Sequence, residues 1–198
     1  MSSTPIAFRI LACLVCCVGF QAHAYENQTH RALTRAAVLR SALQTDPNIL
    51  RNWGLEKGVA DQNQKFQNSE GTPRTIEELL QDGSDFEDAI FPTARVLRHF
   101  YNPVTGFGLD IPALPTQTSS PDWALTPRGH NNSQEYSYWD ARQYVLDALI
   151  KPGENERKAA FGRTFQALGH VVHHLQDMAQ PQHVRNDVHC HFFIPCAL

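Results

Sequence analysis

Residues 154 to 183 read ENERKAAFGRTFQALGHVVHHLQDMAQPQH. Phe161, Phe165, Leu168, Val172 and Leu175 recur there at alternating gaps of four and three, which makes one apolar face of a long helix. The helix is expected to begin near Glu154, after the break at Lys151-Pro152-Gly153. It should end near Ala179, because the residue before Pro181 avoids helical geometry. Opposite the apolar face, His170, His173, His174 and Asp177 fall at i, i+3, i+4 and i+7. A polar face turned to water would account for that pattern without any metal. Lysine and glutamate usually populate such faces, however, and here the positions are nearly all imidazole. His173 and Asp177 put a nitrogen and a carboxylate one turn apart, and His183 follows the proline, from where a third donor can fold back. Imidazole with carboxylate is a ligand set that suits zinc.

The rest of the chain reads as further helices. Asn27 to Leu43 is amphipathic, with Ala32, Leu33, Ala36, Leu39 and Leu43 at helical spacing. His30 sits in its first turn and by itself reads as a cap or surface residue. Residues 52 to 74 are polar and irregular. Thr75-Ile76-Glu77-Glu78 is a capping box, so a helix starts there and meets a break at Gly83. Asp85, Glu87 and Asp88 precede Pro92, which is placed to open a helix running to His99. Taken alone, the acids are favourable charges near that helix's N-terminus. Residues 102 to 135 form a long structureless stretch in which Phe107, Trp123 and His130 are candidate substrate contacts. Tyr136 to Ile150 resumes helical periodicity through Tyr138, Ala141, Val145 and Leu149. With no strong strand signal and no internal repeat, the fold class is all-α.

Composition narrows the function. A chain of 198 residues with 42% hydrophobic and 19% charged residues suits one domain with a substantial core. Ten histidines, clustered towards the C-terminus, are many for that length, and histidine is both metal ligand and acid/base. At the N-terminus Arg9 is a basic n-region, Ile10 to Phe20 an apolar h-region, and Ala22-His23-Ala24 an A-x-A cleavage site. Residues 1 to 24 are therefore expected to be a secretory signal, with Tyr25 the mature N-terminus and the product secreted or periplasmic. Lipoprotein processing at Cys13 or Cys16 is the alternative, although neither follows a convincing lipobox. The apolar run is too short to span a bilayer. Removing the leader takes away Arg9 and no acid, so the formal charge moves from −3 to −4. That balance argues against a general polyanion binder. Cys190 and Cys196 remain, as a disulfide or as two free thiols.

From His173 to His183, HHLQDMAQPQH resembles the H-x3-D-x5-H signature of zinc-dependent phospholipase C and the related single-strand-specific zinc nucleases. Gln180-Pro181 within it, Leu168-Gly169 before it and His99-Phe100-Tyr101-Asn102-Pro103 look like the phospholipase C branch. Matching pieces run from Tyr25 to His183 in the family's order. The resemblance implies an all-helical fold and a trinuclear zinc cluster in which the mature N-terminal residue is a ligand. Tyr25 to His30 has the nuclease branch's spacing, with tyrosine where the family has tryptophan.

Carried over residue by residue, the resemblance implies that Tyr25 and His30 hold one zinc. Asp88, His99 and His173 would hold a second, Asp177 would bridge the two, and His183 would belong to a third. A glycine five residues before and a proline four after, as Gly83 and Pro92 stand here, favour Asp88; counting back from His99 favours Asp85. The family's third zinc needs a further H-x3-E/D pair well beyond His183, for which the sequence to Leu198 has no room. Asp187, His189 and His191 have other spacings, so a C-terminally truncated family member with an incomplete third site is expected. His170 and His174 have no family role and read as surface residues or as supports behind the ligands. The activity implied is phosphodiester hydrolysis on a phospholipid, with Asp88 and Asp177 as its catalytic carboxylates. The alternatives are a nuclease acting on single-stranded nucleic acid and a non-catalytic zinc-binding helical fragment.

Overall fold

A computed structural model describes residues 27–88, 95–112, 115–126 and 134–185. The expected leader at 1–24, Tyr25, Pro92, His130, Asp187, His189, His191 and the Cys190/Cys196 pair lie outside them. In chain order the elements are α1 (Asn27–Arg40), α2 (Ala42–Thr45), α3 (Pro47–Arg51), β1 (Phe66–Gln67), β2 (Pro73–Arg74) and α4 (Ile76–Phe86). A 3-10 turn (Arg95–Arg98), α5 (Ser120–Leu125), α6 (Tyr138–Ile150), α7 (Glu154–Asp177) and α8 (Pro181–Val184) complete the described part. The architecture is all-α, and its two short strands pair antiparallel with Phe66 opposite Arg74.

The Thr75 capping box forms as its sequence dictates. The Glu78 N–H donates to the Thr75 hydroxyl at 3.2 Å, and the Thr75 N–H donates to the Glu78 carboxylate at 2.8 Å. Helix α4 then runs straight through Gly83 instead of breaking there. Gly83 serves a different purpose: a Cβ on it would lie 2.0 Å from the backbone oxygen of Gln166 on α7. Gly169 answers from the other side, where a Cβ would lie 2.2 Å from the Leu80 oxygen. Two side-chain-free positions thus let α4 and α7 approach backbone to backbone. That contact brings the C-terminal ends of the two helices into one place.

Helix α7 divides its buried face in two. Its first half buries Phe161 and Phe165, which pack with Phe66, Leu79, Leu80, Ile76 and Val59 in one apolar cluster. Complete burial of a side chain such as Phe165 or Leu79 stabilises by roughly 1.5–3 kcal/mol. Its second half buries His170, His173, His174 and Asp177 instead. The apolar stripe expected to continue to Leu175 does not: Leu175 is 69% exposed. Periodicity phased the first half correctly and the second wrongly, because polar groups satisfied by one another take the inward face there.

Similar corrections apply elsewhere. Helix α1 stops at Arg40, where Ser41 turns back on Val38 through both its N–H and its hydroxyl. The inward residues of α1 are His30, Thr34 and Val38, whereas Leu33 and Leu39 face out. The stretch from 102 to 135 contains α5, capped by the Ser119 hydroxyl, and α5 carries a fully buried Trp123. Arg31 ties α1 to α4 through Asp82 at 2.9 Å and Asp85 at 3.2 Å, and Arg74 and Asn68 bind the same Asp82. Those bonds hold His30, one residue before Arg31, against the end of α7.

Candidate metal centre

Three helices and two loops deliver the cluster. His30 comes from the first turn of α1, Asp88 from just beyond α4, His99 from just after the 3-10 turn, His173 and Asp177 from the end of α7, and His183 from α8. All six are buried or nearly so; Asp88 keeps 9% of its side chain accessible and is the most open of them. Asp177 stands in the middle. Its Oδ2 lies 3.0 Å from His99 Nδ1, 3.0 Å from His173 Nε2 and 3.1 Å from His183 Nδ1. Its Oδ1 turns the other way, 3.6 Å from His30 Nε2. Asp88 faces the same nitrogens, at 3.5 Å from His99, 3.6 Å from His173 and 3.9 Å from His30.

The ring orientations are fixed from behind. His173 Nδ1 donates to the Ser84 carbonyl at 2.7 Å. The Gln176 amide nitrogen donates to the Thr34 hydroxyl, so its oxygen accepts from His30 Nδ1 at 2.6 Å. Hydrogen bonds of this kind select the tautomer of a metal-ligating histidine. In a neutral ring each leaves an Nε2 lone pair pointed at carboxylate oxygens, an arrangement that needs a positive charge between them. The Asp177 oxygens are both buried, and among the described residues only the facing imidazole rings can donate to them. Helices α4 and α7 also present their negative, C-terminal ends here, which disfavours Glu87, Asp88 and Asp177 unless a cation is near. The helix expected to open at Pro92 begins outside the described residues, and its described part is the 3-10 turn Arg95–Arg98.

A proton or a metal can supply the charge. Burial lowers the His173 pKa, but Asp177, Asp88 and Glu87 together outweigh it and raise it to about 10, so without metal His173 is an imidazolium. Burial raises Asp88 to about 7 and lowers His30 and His99 to about 4 and about 3. Burial would also raise Asp177, yet His173 and His99 hold it well below the ordinary carboxylate range. The same atoms suit a metal ion. His30, His173 and Asp177 form one three-ligand group and Asp88, His99 and His173 another, each with its atoms within 4.8 Å. The separations of 3.0–3.6 Å among His99, His173, Asp177 Oδ2 and Asp88 bracket the ~3.3 Å edge that follows for ligands ~2.0–2.1 Å from a tetrahedral zinc.

Asp85 stands apart, with its carboxylate on Arg31. Replacing Asp88 with Asn should therefore weaken zinc binding at least about tenfold, while Asp85→Asn leaves it unchanged. Competition against a chromophoric chelator measures both. Equal losses would remove Asp88 from the centre.

A second buried group escaped sequence reading. Glu87 is fully buried and accepts from Arg95 Nη1 at 2.9 Å, Trp123 Nε1 at 2.7 Å, His174 Nε2 at 3.0 Å and His170 Nδ1. His174 Nδ1 in turn meets the Ser120 hydroxyl at 2.9 Å. Glu87, His99 and His174 also come within ligand distance of one another. Four donors, one of them a guanidinium, already fill the Glu87 oxygens, so this group is a hydrogen-bonded anion and not a metal site. The donors hold Glu87 well below the ordinary carboxylate range despite the opposing effect of burial. His170 and His174 are thus buried supports and not surface residues. Trp123, wholly inside, has no face to offer a substrate; Phe107 is 58% exposed.

No protein-family model, curated protein or solved structure matches this chain. Among the described residues no helix is long and apolar enough to cross a membrane.

Proposed function

We propose that the chain is a zinc-dependent phosphodiester hydrolase of the phospholipase C type. The observation that carries this reading is the meeting of His30, Asp88, His99, His173, Asp177 and His183 at ligand spacing, in the order and register of the H-x3-D-x5-H resemblance. Bound zinc supplies a water ionised near neutral pH and positive charge for the phosphate oxygens. The protein supplies the rest. Asp177 offers one oxygen to the His30 side and the other to the His99 and His173 side, which suits a bridge. Asp88, the least enclosed carboxylate of the centre, keeps 9% of its side chain accessible and suits a group that takes up and returns the proton of the attacking water. On this reading residues 1–24 are removed and the Tyr25 amine joins His30. A phospholipid is favoured over single-stranded nucleic acid by the resemblance of Gln180-Pro181, Leu168-Gly169 and His99 to Pro103 to the phospholipase C branch; of the two candidate stacking residues Trp123 is buried and Phe107 is exposed.

The test is hydrolysis of an activated phosphodiester, then of phosphatidylcholine and single-stranded DNA, with and without chelator. The expected result is chelator-sensitive turnover with preference for the lipid. Preference for DNA would favour the nuclease reading. Zinc binding without any hydrolysis would leave the non-catalytic one. Turnover that survives chelation would rule out a metal-dependent reaction.

Zinc affinity should also depend on pH with a defined sign. Ligands bind only after losing their protons. At pH 7–8 the metal must displace the His173 proton, and near pH 7 it competes for part of the Asp88 proton as well. Affinity should rise by about tenfold per pH unit at pH 8 and more steeply below pH 7, with between about one and two protons released per zinc at neutrality. Calorimetry in buffers of different ionisation enthalpy counts them. Proton-neutral binding would contradict a protonated His173 in the metal-free protein.

A further inference from the structure

We infer that Glu87, itself no ligand, is a positioning residue that stabilises the metal-binding tautomer of His99. The inference rests on the metal reading above.

His99 presents Nδ1 to Asp177 and Asp88, so binding a metal through Nδ1 leaves the proton of the neutral ring on Nε2. That Nε2 is buried and makes no hydrogen bond. The carboxylate it faces is Glu87, with Oε1 at 3.9 Å. A buried anion on the Nε2 side favours the proton there and the lone pair on the metal side, and burial weakens the screening that would otherwise blunt the effect. The ring cannot readily turn away. His174 meets His99 edge to face, with centroids 5.2 Å apart, and His174 is itself pinned between Glu87 and Ser120. Trp123 fixes the same Glu87 oxygen through its indole N–H. Glu87 therefore sets both the wall behind His99 and the charge that the ring feels. Its chain neighbour Asp88 faces the other nitrogen of the same ring.

The test is zinc affinity, measured by chelator competition on the full chain, for wild type, Glu87→Gln and His170→Gln. Glutamine at 87 keeps an acceptor but removes the charge. At position 170 it keeps a donor to the far Glu87 oxygen and leaves the charge in place. E87Q should bind zinc about 10–100-fold more weakly with the number of zinc ions per chain unchanged, and H170Q, which keeps the Glu87 charge, should lose clearly less. A loss in H170Q as large as that in E87Q would mean that any damage to the network suffices, and would overturn the inference. Unchanged affinity in E87Q would overturn it as well. Fewer zinc ions per chain in E87Q would make Glu87 a ligand, contrary to the inference. Failure of wild type to bind zinc would instead reject the metal reading on which it rests. If E87Q does not fold, the imidazole proton spectrum of zinc-loaded wild type decides. An exchange-protected, downfield His99 Nε2 proton supports the inference, and a rapidly exchanging one contradicts it.

Discussion

Asp177→Asn should abolish both zinc retention and any diester hydrolysis while leaving a folded protein. The carboxylate meets all four histidines of the centre, through one oxygen for His30 and the other for His99, His173 and His183. Asparagine keeps the shape but offers a single carbonyl oxygen and no charge, and its amide hydrogens would point at nitrogens that should hold metal. Loss of outer partners of a metal ligand costs about 10–100-fold in affinity, so loss of the shared ligand should exceed the upper end of that range. Fold stability separates this from general damage. Wild type should gain thermal stability on adding zinc, by mass action on the folded state. The variant should melt at one temperature with or without zinc. A variant that still gains stability from zinc would remove Asp177 from the centre.

Gly83→Ala should destabilise the protein by about 3 kcal/mol or more, at the upper end of overpacking costs. In an ordinary helix interior the same change would stabilise by up to about 1 kcal/mol, because alanine is the better helix former. The sign reverses here because the new methyl would sit 2.0 Å from a backbone oxygen of α7, which has no rotamer to change. The helices must part instead. Since α4 ends beside Asp88 and α7 ends at Asp177, parting them should also loosen the ligands, so zinc affinity falls together with stability. Urea denaturation with a zinc titration reads both; a melting point lowered by about 6–12 °C is the expected scale. A stabilised G83A would refute the close approach.

Much of the centre could be read from the chain because its densest part is local. His173, Asp177 and His183 lie within eleven residues; helical spacing places the first two together, and the break at Pro181 lets His183 fold back to them. His30, Asp88 and His99 are far off in sequence and entered only through resemblance to a family. The choice between Asp88 and Asp85 turned on which of them Arg31 takes, a contact between α1 and α4 that no local pattern contains. Glu87 was illegible for a related reason. Hydrophobic periodicity sees apolar burial, and a carboxylate paid for by Arg95, Trp123, His170 and His174 looks like any surface acid. The same blindness sent Leu175 inward on paper. Gly83 reads as a breaker in one dimension and as a contact point in three. Trp123 lies in a stretch with too little periodicity to read, because α5 is only six residues long.

This buried set of histidines and carboxylates should retain zinc, and the zinc content of the folded chain after incubation with the metal and gel filtration into zinc-free buffer tests that. Zinc that co-elutes with the protein and is released only by strong chelator or acid is the predicted result. A folded chain that emerges free of zinc would contradict the account.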